Sequence, residues 1–295
     1  MGTIRVRKSA LGSPPAVGLF AVVDKRYKPL QELGTGGVCR VDLATDLKTG
    51  EEVALKRPHP FLKETNNAAM TLWNEAVALS LITHPGIPDY VSHSEADGNP
   101  YVVMEHIGGP TFGLNKVRDR FELLSVFISV CDILSALHEL GIVHRDVKPS
   151  NILLRPLSRA PVLIDYGYSL VPGMPDYSKE MNTVVGTARY MAPEQTLPGG
   201  RVDKRADIYS VGILLYSYLS GQYPYVEPAN GGPEAVMRLH RTATAPPMHE
   251  INPRVPPRLS RVVCQAMSRE PARRFSSALE LADALSDCLE LMHPL

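Results

Sequence analysis

Within one short stretch, His144-Arg145-Asp146-Val147-Lys148-Pro149-Ser150-Asn151, the chain places a carboxylate, an ammonium group and a carboxamide close together. An apolar run, Ile152-Leu153-Leu154, follows at once, and a second apolar run ends in Asp165-Tyr166-Gly167. Moving a phosphoryl group onto a hydroxyl requires a carboxylate that orients the hydroxyl and accepts its proton. It also requires cations over the moving phosphate and a carboxylate on magnesium. Asp146, Lys148, Asn151 and Asp165 are the residue types that meet those needs. Taken alone, the stretch could also be an ordinary charged loop; the remaining motifs weigh against that reading.

Gly34-Thr35-Gly36-Gly37 lies between two strand-like stretches. A turn between strands argues against a dinucleotide-binding fingerprint, and no Gly-Lys-Ser/Thr follows to make a P-loop. Glycines in such a turn let backbone N–H groups approach phosphate oxygens without a Cβ in the way. Lys56, in Val53-Ala54-Leu55-Lys56, has apolar neighbours on a strand, and Glu75 shares a helix face with Leu72 and Leu79. A lysine enclosed there needs a carboxylate partner to keep its charge. Lys56 paired with Glu75 and aimed at phosphates accounts for both; separately they would read as an exposed strand lysine and a solvated glutamate.

These groups need a framework to position them. Tyr27–Leu33 and Val38–Ala44 read as strands across the glycines, Lys48-Thr49-Gly50 is a turn, and Glu52–Lys56 is a third strand. Leu72, Ala76, Leu79 and Ile82 form one stripe, which predicts a helix over 65–82 ended by His84-Pro85-Gly86. Two further strands are expected around Asp89–Val91 and at Tyr101–Glu105. After Gly108-Gly109-Pro110 the character turns helical. Leu124, Phe127, Val130, Leu134 and Leu137 predict a helix over 121–140, with Gly141 as its natural stop. Residues 203–220 and 277–292 are further apolar-periodic helices. Strands early and helices late describe an α+β chain, a small sheet lobe joined to a larger helical lobe near His106 to Gly109. Residues 1–26 read as an N-terminal arm, loose as far as about Ala21.

At 295 residues, 44% of them hydrophobic and 21% charged, the chain falls among globular proteins with room for a large core or two lobes. Lys+Arg and Asp+Glu both total 31, so the charge balance points to neither nucleic acid nor a membrane surface. The four cysteines, Cys39, Cys131, Cys264 and Cys288, form no CxxC pair, which fits a reducing compartment. No run approaches the ~18–20 consecutive apolar residues of a membrane span. Gly2 is followed by Val6 rather than Ser or Thr at the sixth position, which speaks against myristoylation. Leu11–Val23 is too broken by Gly, Pro and Asp to be a secretory segment. A cytoplasmic enzyme is the expectation.

Together the motifs resemble the serine/threonine protein kinases over about Tyr27 to Leu289. The bacterial eukaryotic-like kinases are most similar, on Ala192-Pro193-Glu194-Gln195, Ala206-Asp207-Ile208-Tyr209-Ser210-Val211-Gly212 and Glu270-Pro271-Ala272-Arg273-Arg274-Phe275. The resemblance implies a bilobal kinase fold, with an antiparallel sheet and one key helix in an N-lobe of 27–106 and a helical C-lobe of 107–289. It implies ATP as donor, Mg2+, protein Ser/Thr hydroxyls as acceptors, and self-association where the activation segment phosphorylates itself. On this resemblance Asp146 is the catalytic carboxylate and Lys148 the phosphate-neutralising cation, with Asn151 and Asp165 as magnesium ligands. The nucleotide would lie against Leu33, Gly34, Thr35, Gly36, Gly37 and Val38, its α- and β-phosphates on Lys56 with Glu75. Val41, Ala54 and Leu153 would sandwich the adenine, which would meet the Glu105 carbonyl and the Ile107 N–H, with Met104 as gatekeeper.

The same resemblance implies that His144 packs on Tyr166 and carries no proton, and that Thr187 bonds Asp146 and Lys148. It implies a buried Glu194–Arg274 pair and an Asp207 that holds the catalytic loop from below. Two positions depart from the pattern. Cys39 stands where the third glycine is usual, which would lower nucleotide affinity, and Tyr166 replaces Phe and brings a hydroxyl to satisfy. Cys39 is also the only support for a nucleotide-binding pseudokinase; Lys148 and the Gly186–Glu194 segment speak against a small-molecule phosphotransferase. An arginine at Arg145 implies a phosphate reader, with Thr183 the favoured acceptor and Ser178 second. His59, His93, His138 and His240 lack metal-ligand spacing and read as surface or loop residues.

Overall fold

Alternating side chains and tight turns give the first part of the chain five strands: β1 (Tyr27–Thr35), β2 (Cys39–Asp46), β3 (Glu52–Pro58), β4 (Tyr90–Ala96) and β5 (Asn99–Glu105). The computed structural model describes residues 21–59, 66–113, 119–225 and 231–291. The strands form one antiparallel sheet in the order β1-β2-β3-β5-β4. Asp97-Gly98 closes β4 onto β5 with both residues at positive φ, the conformation that two-residue hairpins of this type require.

Successive strand residues face opposite sides of a sheet. Val53, Leu55, Tyr101 and Val103 therefore meet Tyr27 and Ala44 in a small cluster on one side. Ala54 and Met104 turn to the other side and join the main core. Lys56, paired with Val41 on one neighbour and Val102 on the other, shares that second face. Helix α1 (Asn66–Ser80) lies against β5, β4 and β3 on Leu72, Ala76 and Leu79, all 1% exposed or less, and this turns Glu75 inward.

Helix α2 (Arg120–Glu139) begins one residue before the expected span because Asp119 caps it, accepting the Glu122 N–H at 2.9 Å. By length and composition α2 could cross a membrane, yet half of its apolar window is buried inside the fold. The short antiparallel pair β6 (Ile152–Leu154) and β7 (Pro161–Leu163) follows. Next come α3 (Tyr177–Glu180), α4 (Arg205–Ser220), α5 (Gly232–Thr242), α6 (Met248–Ile251), α7 (Pro257–Ala266) and α8 (Ala278–Glu290). Helix α2 packs mainly on α8, with β7 and α4 behind it. Gly212 lets α4 approach α7, since a Cβ there would lie 2.8 Å from Met267 Cγ. A small antiparallel-sheet lobe and a larger helical lobe make the α+β architecture bilobal.

Residues 1–20 of the expected N-terminal arm lie outside the described residues, as do Thr65 and Met292 at the ends of two expected helices. Residues 23–26, which follow the stretch expected to be loose, are tied to the sheet. Val23 bridges Tyr27, Arg26 pairs with Asp46 at 2.6 Å, and Asp24 accepts the Tyr101 hydroxyl at 2.7 Å.

Candidate active site

The residues singled out for chemistry converge on a cleft of about 590 Å3 between the two lobes. Its roof is the turn between β1 and β2, Leu33 to Val38, with Val41, Ala54 and Lys56 behind. Met104, Glu105 and Ile107, where β5 leaves the sheet, line one end, and Leu153 faces them from the helical lobe. Lys148, Asn151 and Asp165 line the opposite end. Asp146 lies beside them, 5% exposed, held through Lys148 and Asn151.

At that end Lys56 Nζ donates to Glu75 Oε2 at 2.5 Å and to Asp165 Oδ1 at 2.7 Å. Burial works against the charge on Lys56, but the two carboxylates raise it above its ordinary value. Burial, and repulsion from Asp165, push Glu75 upward against the pull of Lys56. Asp165 goes the other way. Burial alone would raise it, yet Lys56, with Lys148 and His144 further off, holds its carboxyl at about 2. Asp165 thus stays ionised throughout the neutral range.

The β6–β7 pair explains how the 144–151 loop and Asp165 come side by side: Ile152 pairs with Leu163, and Ile164 N–H bonds the Asn151 carbonyl at 2.9 Å. Asn151 donates its amide nitrogen to the Asp146 carbonyl at 2.9 Å and to Asp146 Oδ2 at 3.2 Å, which turns its Oδ1 away from Asp146. Lys148 Nζ donates to Asp146 Oδ2 at 2.6 Å and to Thr187 Oγ1 at 3.0 Å, and Thr187 donates to Asp146 Oδ1 at 2.8 Å.

Asp207, fully enclosed on α4, accepts the backbone N–H groups of His144 at 2.9 Å and Arg145 at 2.8 Å. Its other neighbour is His138, at 2.8 Å. Burial would raise Asp207, but the His138 hydrogen bond and charge hold it below the usual carboxylate range. The support matters because Arg145 sits at φ 66°, in the left-handed region that L residues other than Gly, Asn and Asp rarely adopt. Asp207 on its N–H and Gln195 Nε2 on its carbonyl, at 2.8 Å, fix it there. His144 packs edge-on against Tyr166 with ring centroids 5.1 Å apart, and the Tyr166 hydroxyl donates to the Leu163 carbonyl at 2.9 Å. Glu194 forms a two-pronged pair with Arg274, at 2.7 and 2.8 Å.

Several site residues escaped the sequence reading. His138 and His240 are not surface residues: the His138 side chain is 3% exposed on Asp207, and His240 is 1% exposed and bonds Tyr209 Oη at 2.8 Å. Both are covered by partners remote in sequence, which periodicity cannot reveal. His59 ties the glycine turn to β3, with Nε2 2.8 Å from the Gly36 carbonyl and 3.1 Å from Thr35 Oγ1. Asn74 on α1 donates to the carbonyls of Tyr166, Gly167 and Ser169. Cys39 opens β2, where its carbonyl accepts the Gly36 N–H at 2.8 Å; it lines the cleft and packs with the core, 5% exposed, and burial raises its thiol to about 11. Arg145 faces Asp176 and Ser178, not Thr183.

The site's capacity for ligands can be judged from its own groups. No protein atom lies within 4 Å of where a Cβ on Gly34 or Gly37 would sit, and neither has a positive φ. Packing and backbone conformation therefore leave close approach of a ligand as the physical reason for glycine there. An ionised Asp165 and the carboxamide of Asn151, lining the same cleft, offer hard oxygen donors, which suit magnesium. Among the described residues no group of three His, Cys, Asp or Glu gathers as a metal site of its own.

Residues 27–287 match the protein kinase domain family. The chain is 32% identical over 268 residues to the serine/threonine-protein kinase Pkn1 of Myxococcus xanthus, covering 89% of this chain and 38% of that protein. It is 34% identical over 265 residues to the DNA damage-responsive serine/threonine-protein kinase RqkA of Deinococcus radiodurans, covering 87% of this chain and 38% of that protein. The chain thus spans roughly two-fifths of the length of these relatives. Among solved structures, the PknI kinase domain of Mycobacterium tuberculosis is similar in fold, with a TM-score of 0.67 at 24% identity over 92% of this chain and 99% of that one.

Proposed function

The chain belongs to the protein kinase family, and on that premise we propose that it transfers the γ-phosphoryl group of ATP to serine and threonine hydroxyls of protein substrates, its own activation segment among them. The observation that carries this reading is the meeting of Lys56, Asp165, Asn151, Lys148 and Asp146 at one end of a single cleft.

In this reading Asp146 orients the substrate hydroxyl and accepts its proton, and Lys148 lies over the transferred phosphate as its charge develops. Thr187, bonded to both, places the Gly186–Glu194 segment against the same carboxylate, which suits a peptide acceptor. Lys56, held by Glu75, fixes the α- and β-phosphates, and the turn from Leu33 to Val38 covers them. The adenine lies between Val41, Ala54 and Leu153, on the Glu105 carbonyl and the Ile107 N–H, with Met104 at the back. Asp165 and Asn151 would hold Mg2+, which would supply positive charge against the phosphates. The cytoplasmic assignment rests on four free cysteines, none of them paired. Self-association would accompany phosphorylation of one copy by another.

The test is incubation of the purified protein with ATP and magnesium, alone and with a generic Ser/Thr substrate, followed by phosphosite mapping. Phosphoserine or phosphothreonine that depends on Asp146 is the expected result. Nucleotide binding with no phosphate on any protein would overturn the proposal in favour of a pseudokinase.

A further inference from the structure

Arg145 is among the largest enclosed side chains of the described residues, 2% exposed, and a buried guanidinium needs an anion. Its Nη1 donates to Asp176 Oδ1 at 2.7 Å, and its Nε donates to the Tyr168 carbonyl at 2.6 Å. Ser178 Oγ is 3.5 Å from Nη1, and Nη2 is enclosed with no hydrogen-bond partner. Asp176 is itself built in. Its Oδ1 accepts the Ser178 N–H at 3.1 Å and hydroxyl at 2.9 Å, and Lys179 stands 3.7 Å from Oδ2. The rings of Tyr168 and Tyr177 pack edge-on beside the pair, 5.4 Å between centroids. Thr183 reaches this cluster only through its backbone, its N–H on the Ser178 carbonyl at 3.0 Å.

We propose that Asp176 is the resident anion of Arg145, a positioning residue that orders the activation segment by the chain's own carboxylate, without a covalently attached phosphate. The inference rests on the kinase reading above. Arg145 directly precedes Asp146 and is held at strained φ, so the guanidinium reports on the catalytic loop's backbone. Beyond Asp176 the segment runs to Thr187, which bonds Asp146 and Lys148. The Arg145–Asp176 contact therefore fastens the middle of a segment whose far end completes the catalytic group. One carboxylate balances one guanidinium, so a further phosphate on Thr183 would meet a cation already neutralised. The unpartnered Nη2 leaves only a modest gain for an anion arriving at Ser178. Without Asp176, Arg145 would be a buried charge with no anion, and it would be expelled, carrying the loop with it.

The test uses the full chain freed of phosphate by a phosphatase and checked by intact mass, with Asp176→Asn, Asp176→Glu and Thr183→Ala alongside. Asparagine keeps the short-range cap on Ser178 and removes only the charge. Dephosphorylated parent and Thr183→Ala should keep their turnover to within about threefold of the phosphorylated parent. Asp176→Asn should lose about tenfold or more in kcat, with KM for ATP little changed, and Asp176→Glu should recover part of the loss. Amide exchange over residues 169–187 should be faster in Asp176→Asn than in the parent. A dephosphorylated parent without activity, restored in step with phosphate on Thr183 or Ser178, would overturn the inference. So would Asp176→Asn with parental kcat and parental exchange. If no form transfers phosphate, the kinase reading fails, while the exchange comparison still decides whether Asp176 orders the segment.

Discussion

Lys56 and Asp165, 109 positions apart, are joined by a 2.7 Å hydrogen bond, so the sheet lobe's cation and the helical lobe's carboxylate neutralise each other directly. Glu75 completes the group from α1 at 1% exposure. Removing the cation leaves two carboxylates facing each other. Lys56→Met should lower kcat/KM by about 100-fold or more, and the Asp165 carboxyl should rise from about 2 toward and beyond the ordinary range. Steady-state kinetics and NMR titration of the Asp165 carboxyl check both; parental kinetics would remove Lys56 from the phosphate clamp.

Asp146→Asn separates chemistry from binding. Asp146 contacts Lys148, Asn151 and Thr187 and lies at the edge of the cleft, not among the groups around the adenine end. Phosphoryl transfer should fall by about 10²–10⁴-fold, the usual worth of a positioned base. Calorimetry should find ATP affinity close to that of the parent.

Arg274→Leu tests the long-range pair that anchors the segment from Gly186 to Glu194. Arg274 also donates to the carbonyls of Ser268, Arg205 and Arg269, and its side chain is fully enclosed. Breaking a buried pair from one side leaves Glu194 uncompensated, a loss of about 3–5 kcal/mol. The thermal midpoint should drop by several degrees, with activity falling alongside as the segment loosens.

Burial lowers His240 from 6.5 to about 4, although the backbone of Arg189 and Ala188 favours its charged form. Above pH 6.5 the ring is neutral in folded and unfolded chains alike and adds no pH dependence. Between about 6.5 and 4 the unfolded chain binds the extra proton, so stability declines as pH falls, by roughly 3 kcal/mol in all. Urea melts at pH 7 and pH 5 should show part of this slope, and His240→Gln should lack it. An equal slope in the variant would place the titrating group elsewhere.

Cys39→Gly would restore the glycine usual at that position. Because Cys39 packs in the core from the first residue of β2, the substitution removes buried sulfur and adds backbone freedom. Stability should fall by about 1–3 kcal/mol, as measured by denaturant midpoint, with no tightening of ATP binding. A tighter complex at unchanged stability would return Cys39 to the phosphate loop.

The sheet, α1, α2, α4 and α8 were legible because each carries its own period: Val53, Leu55 against Ala54, Lys56 in a strand, Leu72, Ala76, Leu79 in a helix. The site was legible because its groups sit at fixed offsets around Asp146 and Asp165. Helices α5 to α7 were not read from the sequence: α6 is four residues preceded by two prolines, and α5 and α7 are short and each carries a proline in its first turn. His138, His240 and Asp176 owe their placement to Asp207, Tyr209 and Arg145, partners that no local pattern announces.

Helix α2 has a consequence for how the protein is made. Its most extensive partner, α8, is the last of the described helices, so a ribosome emits α2 well before the helix that covers most of it. Through that interval an apolar helix long enough to span a membrane lacks its main cover. A chain released before α8 would leave that face of α2 open and prone to aggregation.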